Sequence, residues 1–343
     1  MTAPVVGYYV HHVGSGHRHR AQVLAARLER EGIRVTGLSS LPRPDGWAGD
    51  WVRLARDDGG TAADVSAGGH LHWVPRQHDG LRSRTAAVSA WIEAARPDLV
   101  VVDVSVEVAL LARLHGIPVV AVVLPGRRDD PPHLLGLGVA DVLVGFWPES
   151  ADGMAPGLPD HLRAKLVPVG ALSRHPVRRD RTDRRPGIRT VALLLGTGGH
   201  DIDRADVEAA CAATPGWTWR VLGADRSTWV ADTASVLAES DVVVTHAGQN
   251  ALAETAAARR PAVVVPQHRP HDEQRTTAAV LARGWPAVVC GTWPAPDDWA
   301  PVLDRAASLD PARWAEWCDG AAADRFARVV LEARRRSGTG AAS

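Results

Sequence analysis

The sequence predicts an α/β protein built from two Rossmann-like, doubly wound parallel-sheet domains that face a cleft. Short β-branched apolar runs alternate with helical stretches along most of the chain. The length, 343 residues, suits about two domains of ordinary size. Midway, residues 173–189 (SRHPVRRDRTDRRPGIR) interrupt the alternation with an Arg-, Asp- and Pro-rich stretch that lacks an apolar period. The expected division is an N-terminal domain over 1–172, a linker at 173–189 and a second domain over 190–320. A C-terminal helix with a frayed tail is expected over 321–343, and it could pack back on the first domain.

In the first half, residues 5–10 read as a strand, His11-His12-Val13-Gly14-Ser15-Gly16-His17 as a glycine loop, and 18–31 as a helix stopped by Gly32. Further strands are expected at 33–37, 71–74, 99–103 and 117–123, with helices at 81–95 and 106–115. Residues 42–64 break the pattern and read as a long loop. Its Trp47 and Trp51 either pack within that loop or floor a binding site.

The second half restarts with a strand at 191–195 that runs into Gly196-Thr197-Gly198-Gly199-His200, a turn whose N–H groups suit a diphosphate. Asp201-Ile202-Asp203 invites a divalent metal, but acids in a first helical turn complement the helix dipole, so no metal site is expected. A strand at 217–222 and a loop with a short helix over 227–240 follow. Next comes DVVVTHAGQNALAETAAARRPAVVVPQHRPHDEQ, from Asp241 to Gln274. It reads as strand 242–245, a turn at Ala247-Gly248, a helix to Arg259, strand 262–265 between two prolines, and a loop into another helix. An amphipathic helix over 311–336 closes the chain.

In such units ligands sit beyond the carboxyl ends of the strands, so His246, Gly248, Gln249, Asn250 and the loop 267–274 should line one crevice. Gly248 admits close backbone approach, and the N–H groups of the following helix start favour phosphate. Glu254, about one turn on, can accept two hydrogen bonds from a ribose diol. Glu273 and Gln274 suit another polyhydroxy group. A capping box is a weak alternative for Glu254, because Ala251 cannot cap.

His246-Ala-Gly248-Gln-Asn250-x-x-x-Glu254, followed by Pro266 and Glu273-Gln274, resembles the nucleotide-sugar signature of the inverting GT-B glycosyltransferases. Two branches share it: the UDP-glycosyltransferases of natural-product metabolism, and the family 28 enzymes typified by the peptidoglycan N-acetylglucosaminyltransferase. The resemblance implies a GT-B fold and metal-independent transfer, with inversion, from a nucleotide diphosphate sugar to a hydroxyl, UDP being the expected carrier. It implies His246, Gly248 and Asn250 on the diphosphate with Gln249 beside them, Glu254 on the ribose, and Glu273 and Gln274 on the sugar. Gly196, Thr197, Gly198 and Gly199 would form a second phosphate loop, with Val230 near the base. Ala251 and Thr277 depart from a frequent Ser and Asn of the pattern.

The first half would supply the base. His17 ends a glycine loop after the first strand, and an imidazole's ordinary pKa suits proton abstraction near neutrality. Asp103 ends the strand 99–103 and would orient that ring, with Gly14, Ser15 and Gly16 beside the acceptor. The resemblance points to the same His-Asp pair. His11, His12 and His19 are rivals for the base and Glu107 for the acid, while Asp103 could instead cap the next helix. Acceptor contacts are expected from 42–64 and 127–137.

Thirty-nine basic against 39 acidic residues give no electrostatic case for nucleic acid. Cys211, Cys290 and Cys318 lack metal-site spacing and read as reduced, buried thiols. No apolar run approaches the roughly 18 residues of a membrane span, so a cytoplasmic protein is expected, with peripheral membrane contact left open. No cofactor is expected, since the nucleotide sugar is a co-substrate. The acceptor could be a metabolite, a lipid carrier or a cell-surface polymer. The rival functions are a GT-B-fold nucleotide-sugar epimerase and a non-catalytic nucleotide-sugar-binding partner of another transferase. A dinucleotide redox enzyme is disfavoured by the spacing of the glycine loops.

Overall fold

The computed structural model describes residues 3–12, 15–59, 63–178, 189–195, 201–223 and 232–339. Among these, two parallel sheets form. The first contains β1 (Val5–Val10), β2 (Arg34–Ser39), β3 (Trp51–Arg53), β4 (Leu99–Asp103), β5 (Val119–Val123), β6 (Val142–Gly145) and β7 (Leu166–Pro168) in the order β3-β2-β1-β4-β5-β6-β7. The second contains β8 (Arg189–Leu194), β9 (Trp217–Leu222), β10 (Val242–Thr245), β11 (Ala262–Val264) and β12 (Ala287–Val289) in the order β12-β11-β10-β8-β9. The central strands β1, β4, β5 and β10 are buried along their whole length. That is why they read as unbroken apolar runs: helices cover both faces of a parallel sheet.

Helices α1 (Ser15–Glu29), α2 (Asp79–Ala95), α3 (Val106–Leu114), α4 (Pro131–Val139) and α5 (Asp160–Arg163) accompany the first sheet. With the second go α6 (Arg204–Ala213), α7 (Thr233–Glu239), α8 (Gln249–Ala257), α9 (Glu273–Leu281), α10 (Trp299–Ala307) and α11 (Trp314–Trp317). The last, α12 (Ala322–Thr339), lies against α1, with Phe326 edge-on to Tyr8 and Phe146 in the core of the first sheet.

The structure corrects several expectations. Residues 71–74 are not a strand: the N–H groups of His72 and Trp73 donate to the Glu107 carboxylate at 2.8 and 3.0 Å, so a side chain takes the place of a ladder. Four strands were not among those expected, β3, β6, β7 and β12, and β3 lies inside the stretch expected as loop. Trp51 there lies on Gly37, where a Cβ would fall 2.1 Å from its ring. Trp47 and Trp51 pack edge to face at 5.0 Å on this sheet margin; Trp47 lines only a cleft of about 20 Å³ against α1, and neither ring borders the larger cavity described below. Part of the expected loop 127–137 is α4, begun by an Asp130 cap and two prolines. The closing helix is three pieces, a 3₁₀ turn at Pro311–Arg313, α11 and α12, parted at Gly320 with φ +87°.

Candidate active site

The strand order of the first sheet reverses between β1 and β4, and the register sets Val10 beside Asp103. Ligands of open α/β sheets sit at such switch points. His17 lies in the first turn of α1 after β1, and its Nδ1 stands 2.8 Å from Asp103 Oδ1. Arg20, three residues on and so on the same helix face, reaches Asp103 Oδ2 through Nε and Oδ1 through Nη2, both at 2.9 Å. Tyr8 from β1 donates its hydroxyl to Oδ2 at 3.1 Å. Asp103 is fully buried. Burial alone would raise its pKa, but the charges of Arg20 and His17 and their hydrogen bonds outweigh it and hold the carboxyl well below the usual range.

Arg20 Nη2 also stands 2.8 Å from His17 Nδ1. That nitrogen thus faces both an anionic oxygen and a guanidinium; a proton on Nδ1 directed at Asp103 would leave the lone pair on Nε2.

Ser105, not Asp103, caps α3 by accepting from the Val108 N–H. Between them Val104 takes φ +65°, a strained conformation for a β-branched residue, and this turns the chain away beyond Asp103. Glu107 is committed to His72, Trp73 and Ser105. His11 stacks on His12 and lies edge-on to His17. Burial, then the charges of His17 and His12, pushes its pKa down to about 4, and burial does the same to His19. Gly14 lies outside the described residues; Ser15 opens α1, and Gly16 meets Asn250, whose Nδ2 a Cβ would approach to 2.8 Å.

That contact joins the two halves. In the second sheet the order reverses between β8 and β10. His246 is buried at the end of β10, its Nδ1 3.0 Å from the Val265 carbonyl. Gly248 begins α8 with no side-chain cap, so the first-turn N–H groups are left for another acceptor. Gln249 accepts from Arg20 Nη1 at 3.5 Å, while its buried Nε2 has no partner among the described residues. Gly196, Thr197, Gly198, Gly199 and Val230 lie outside the described residues. Asp203 caps α6 in a capping box with Asp206, which accounts for that acid without a metal.

Glu254 is buried on α8, and Arg174 of the expected linker donates to its Oε1 at 2.6 Å. The linker's first residues are therefore anchored: the N–H of Arg178 also bonds the Ala257 carbonyl. Gln274 braces its own loop by accepting from the Gln267 N–H at 2.8 Å. Glu273 opens α9. Burial raises its pKa against the pull of Arg128, Arg20 and His17, which places its carboxyl in the field of the His17 centre. Beside that centre is a cavity of about 590 Å³, lined by His11 and His12 and by apolar side chains of α2, α3 and β4 such as Val88, Val102 and Leu111. Arg20, Tyr8 and Arg128 went unnoticed in the sequence; only the i, i+3 spacing of His17 and Arg20 signals one of them.

Residues 220–289 match the glycosyltransferase family 28 C-terminal domain. No curated protein matches the chain. Among solved structures the chain is similar to the calicheamicin glycosyltransferase CalG4, at 18% identity and TM-score 0.69 over 98% of this chain and 99% of that one. It is similar to a glycotransferase of kitacinnamycin at 19% identity and TM-score 0.65 over 99% and 98%. It is also similar to MurG of Acinetobacter baumannii at 16% identity and TM-score 0.65 over 96% and 100%. These likenesses establish the GT-B fold.

Proposed function

We propose that the chain, a glycosyltransferase of the GT-B fold, moves a sugar from a nucleotide diphosphate to a hydroxyl on a largely apolar small molecule, without a metal at the reacting atoms and with inversion. The observation that carries this reading is the His17–Asp103 pair at the switch point of one sheet, opposite the uncapped start of α8 at the switch point of the other. In this reading His17 Nε2 takes the acceptor's proton and the acceptor oxygen bonds to the anomeric carbon. The bond from that carbon to the phosphate oxygen breaks, and the diphosphate charge falls on the α8 N–H groups. Asp103 stabilises the imidazolium that forms. Attack from the face opposite the leaving group gives inversion.

UDP is the carrier proposed, because two further structures of this fold, LpCGTa and UGT2 of Phytolacca americana, were solved with UDP and with UDP-2-fluoroglucose and pterostilbene. The apolar cavity beside His11 favours a metabolite over a polymer as acceptor. Among the described residues no helix is long and apolar enough to cross a membrane. Calorimetric titration with UDP, TDP, GDP and NAD tests the donor site. Binding of one nucleoside diphosphate supports the reading, and binding of NAD alone overturns it.

A further inference from the structure

Away from His17, the described residues hold one cluster of metal-ligating side chains. His72, Asp130, His133 and His271 each offer a ligand atom, and these atoms lie within 4.8 Å of one another. His72 comes from the segment between β3 and α2, Asp130 and His133 from the start of α4, and His271 from the turn before α9 in the other half. Asp130 is the hub. Its Oδ1 is 3.2 Å from His72 Nε2, and its Oδ2 is 2.6 Å from His133 Nδ1 and 3.6 Å from His271 Nδ1. Tetrahedral Zn²⁺ with nitrogen and oxygen ligands at about 2.0–2.2 Å sets its donor atoms roughly 3.3 Å apart; from the single oxygen Oδ2 the separations of 2.6 and 3.6 Å lie on either side of that figure.

The backbone is arranged for the cluster as well. His271 and Asp272 take φ 60° and 54°, two successive left-handed residues without a glycine. Such strain persists only where the surroundings fix it. Here the Arg127 N–H donates to the His271 carbonyl at 2.8 Å, and Gly126 lies so close that a Cβ would fall 2.3 Å from that oxygen. The three imidazole rings turn toward one another with centroids 4.3 to 5.9 Å apart.

We propose that these four side chains form a site for a divalent transition metal, Zn²⁺ foremost, that ties the turn before α9 to the first half of the chain. Three imidazoles and one carboxylate select such ions over Mg²⁺ or Ca²⁺. Ligation through His133 Nδ1 makes its Nε2 a donor, facing Arg128 Nη1 at 3.3 Å. Two donors repel, so Arg128 turns to the Glu273 carboxylate, now 3.9 Å from its Nη2. Occupancy therefore registers at Glu273, and at the cavity rim that His72 and His133 share.

The test is Zn²⁺ calorimetry on the chelator-stripped full chain, paired with thermal unfolding with and without Zn²⁺. One Zn²⁺ per chain and a raised Tm are expected. His271→Asn keeps a residue type at ease in the left-handed region, and Asp130→Asn keeps an α4 cap. Each should weaken Zn²⁺ binding by about tenfold or more and shrink the Tm rise. Absence of stoichiometric binding in the wild type, or unchanged affinity in both variants, would overturn the proposal.

Discussion

Arg20 holds both carboxylate oxygens of Asp103, each at 2.9 Å, in a pocket where Asp103 is fully buried. The grip fixes the carboxylate's plane, and with it the direction in which Asp103 Oδ1 meets His17 Nδ1. Arg20→Met leaves a buried anion without its counter-charge. It should cost about 3–5 kcal/mol of stability, read by denaturant unfolding. A loss under about 1 kcal/mol would mean the pair is wetter than its burial indicates.

The same carboxylate sets an acid limit. Its pKa is depressed in the folded chain, so its stabilisation is complete above the unfolded value of about 3.9. It is lost progressively as pH falls from there toward the lower folded value. Unfolding measured against pH should therefore steepen below about pH 4 in the wild type, and this component should be missing in Asp103→Asn.

His17→Ala should lower turnover by roughly two to four decades with nucleotide binding intact. Full activity would move the base elsewhere, with His12 the neighbouring candidate.

Glu254 separates two roles. If it holds a ribose, Glu254→Ala weakens UDP binding by about 1.5–3 kcal/mol, while Arg174→Ala, which frees the carboxylate, does not weaken it. If Glu254 only anchors the segment that begins at Ser173, the same change lowers the unfolding temperature and leaves UDP affinity alone.

Thr85 faces the cavity from α2. Thr85→Phe should fill part of it and raise the acceptor KM by about tenfold or more with unchanged nucleotide affinity. An equal loss of both would place the acceptor elsewhere.

The unit around Gly248 was legible because strand 242–245, the Gly248 turn and the following helix are contiguous: periods of 2 and 3.6 residues encode which face each side chain takes. The apolar runs of β1, β4 and β10 likewise announced a parallel sheet. The strand at 51–53 escaped notice because three residues carry too little period, and 71–74 misled because its N–H groups go to a distant carboxylate.

By itself, then, the sequence determined the two α/β halves and the succession of strand, turn and helix along the second. Local hydrogen bonding and side-chain periodicity are properties of neighbouring residues. Only the tertiary structure decided that Arg20 and Tyr8 share Asp103, that Arg174 occupies Glu254, and that His72, Asp130, His133 and His271 converge. Those meetings depend on strand order, helix docking and the contact between the halves, and no spacing along a single chain encodes them.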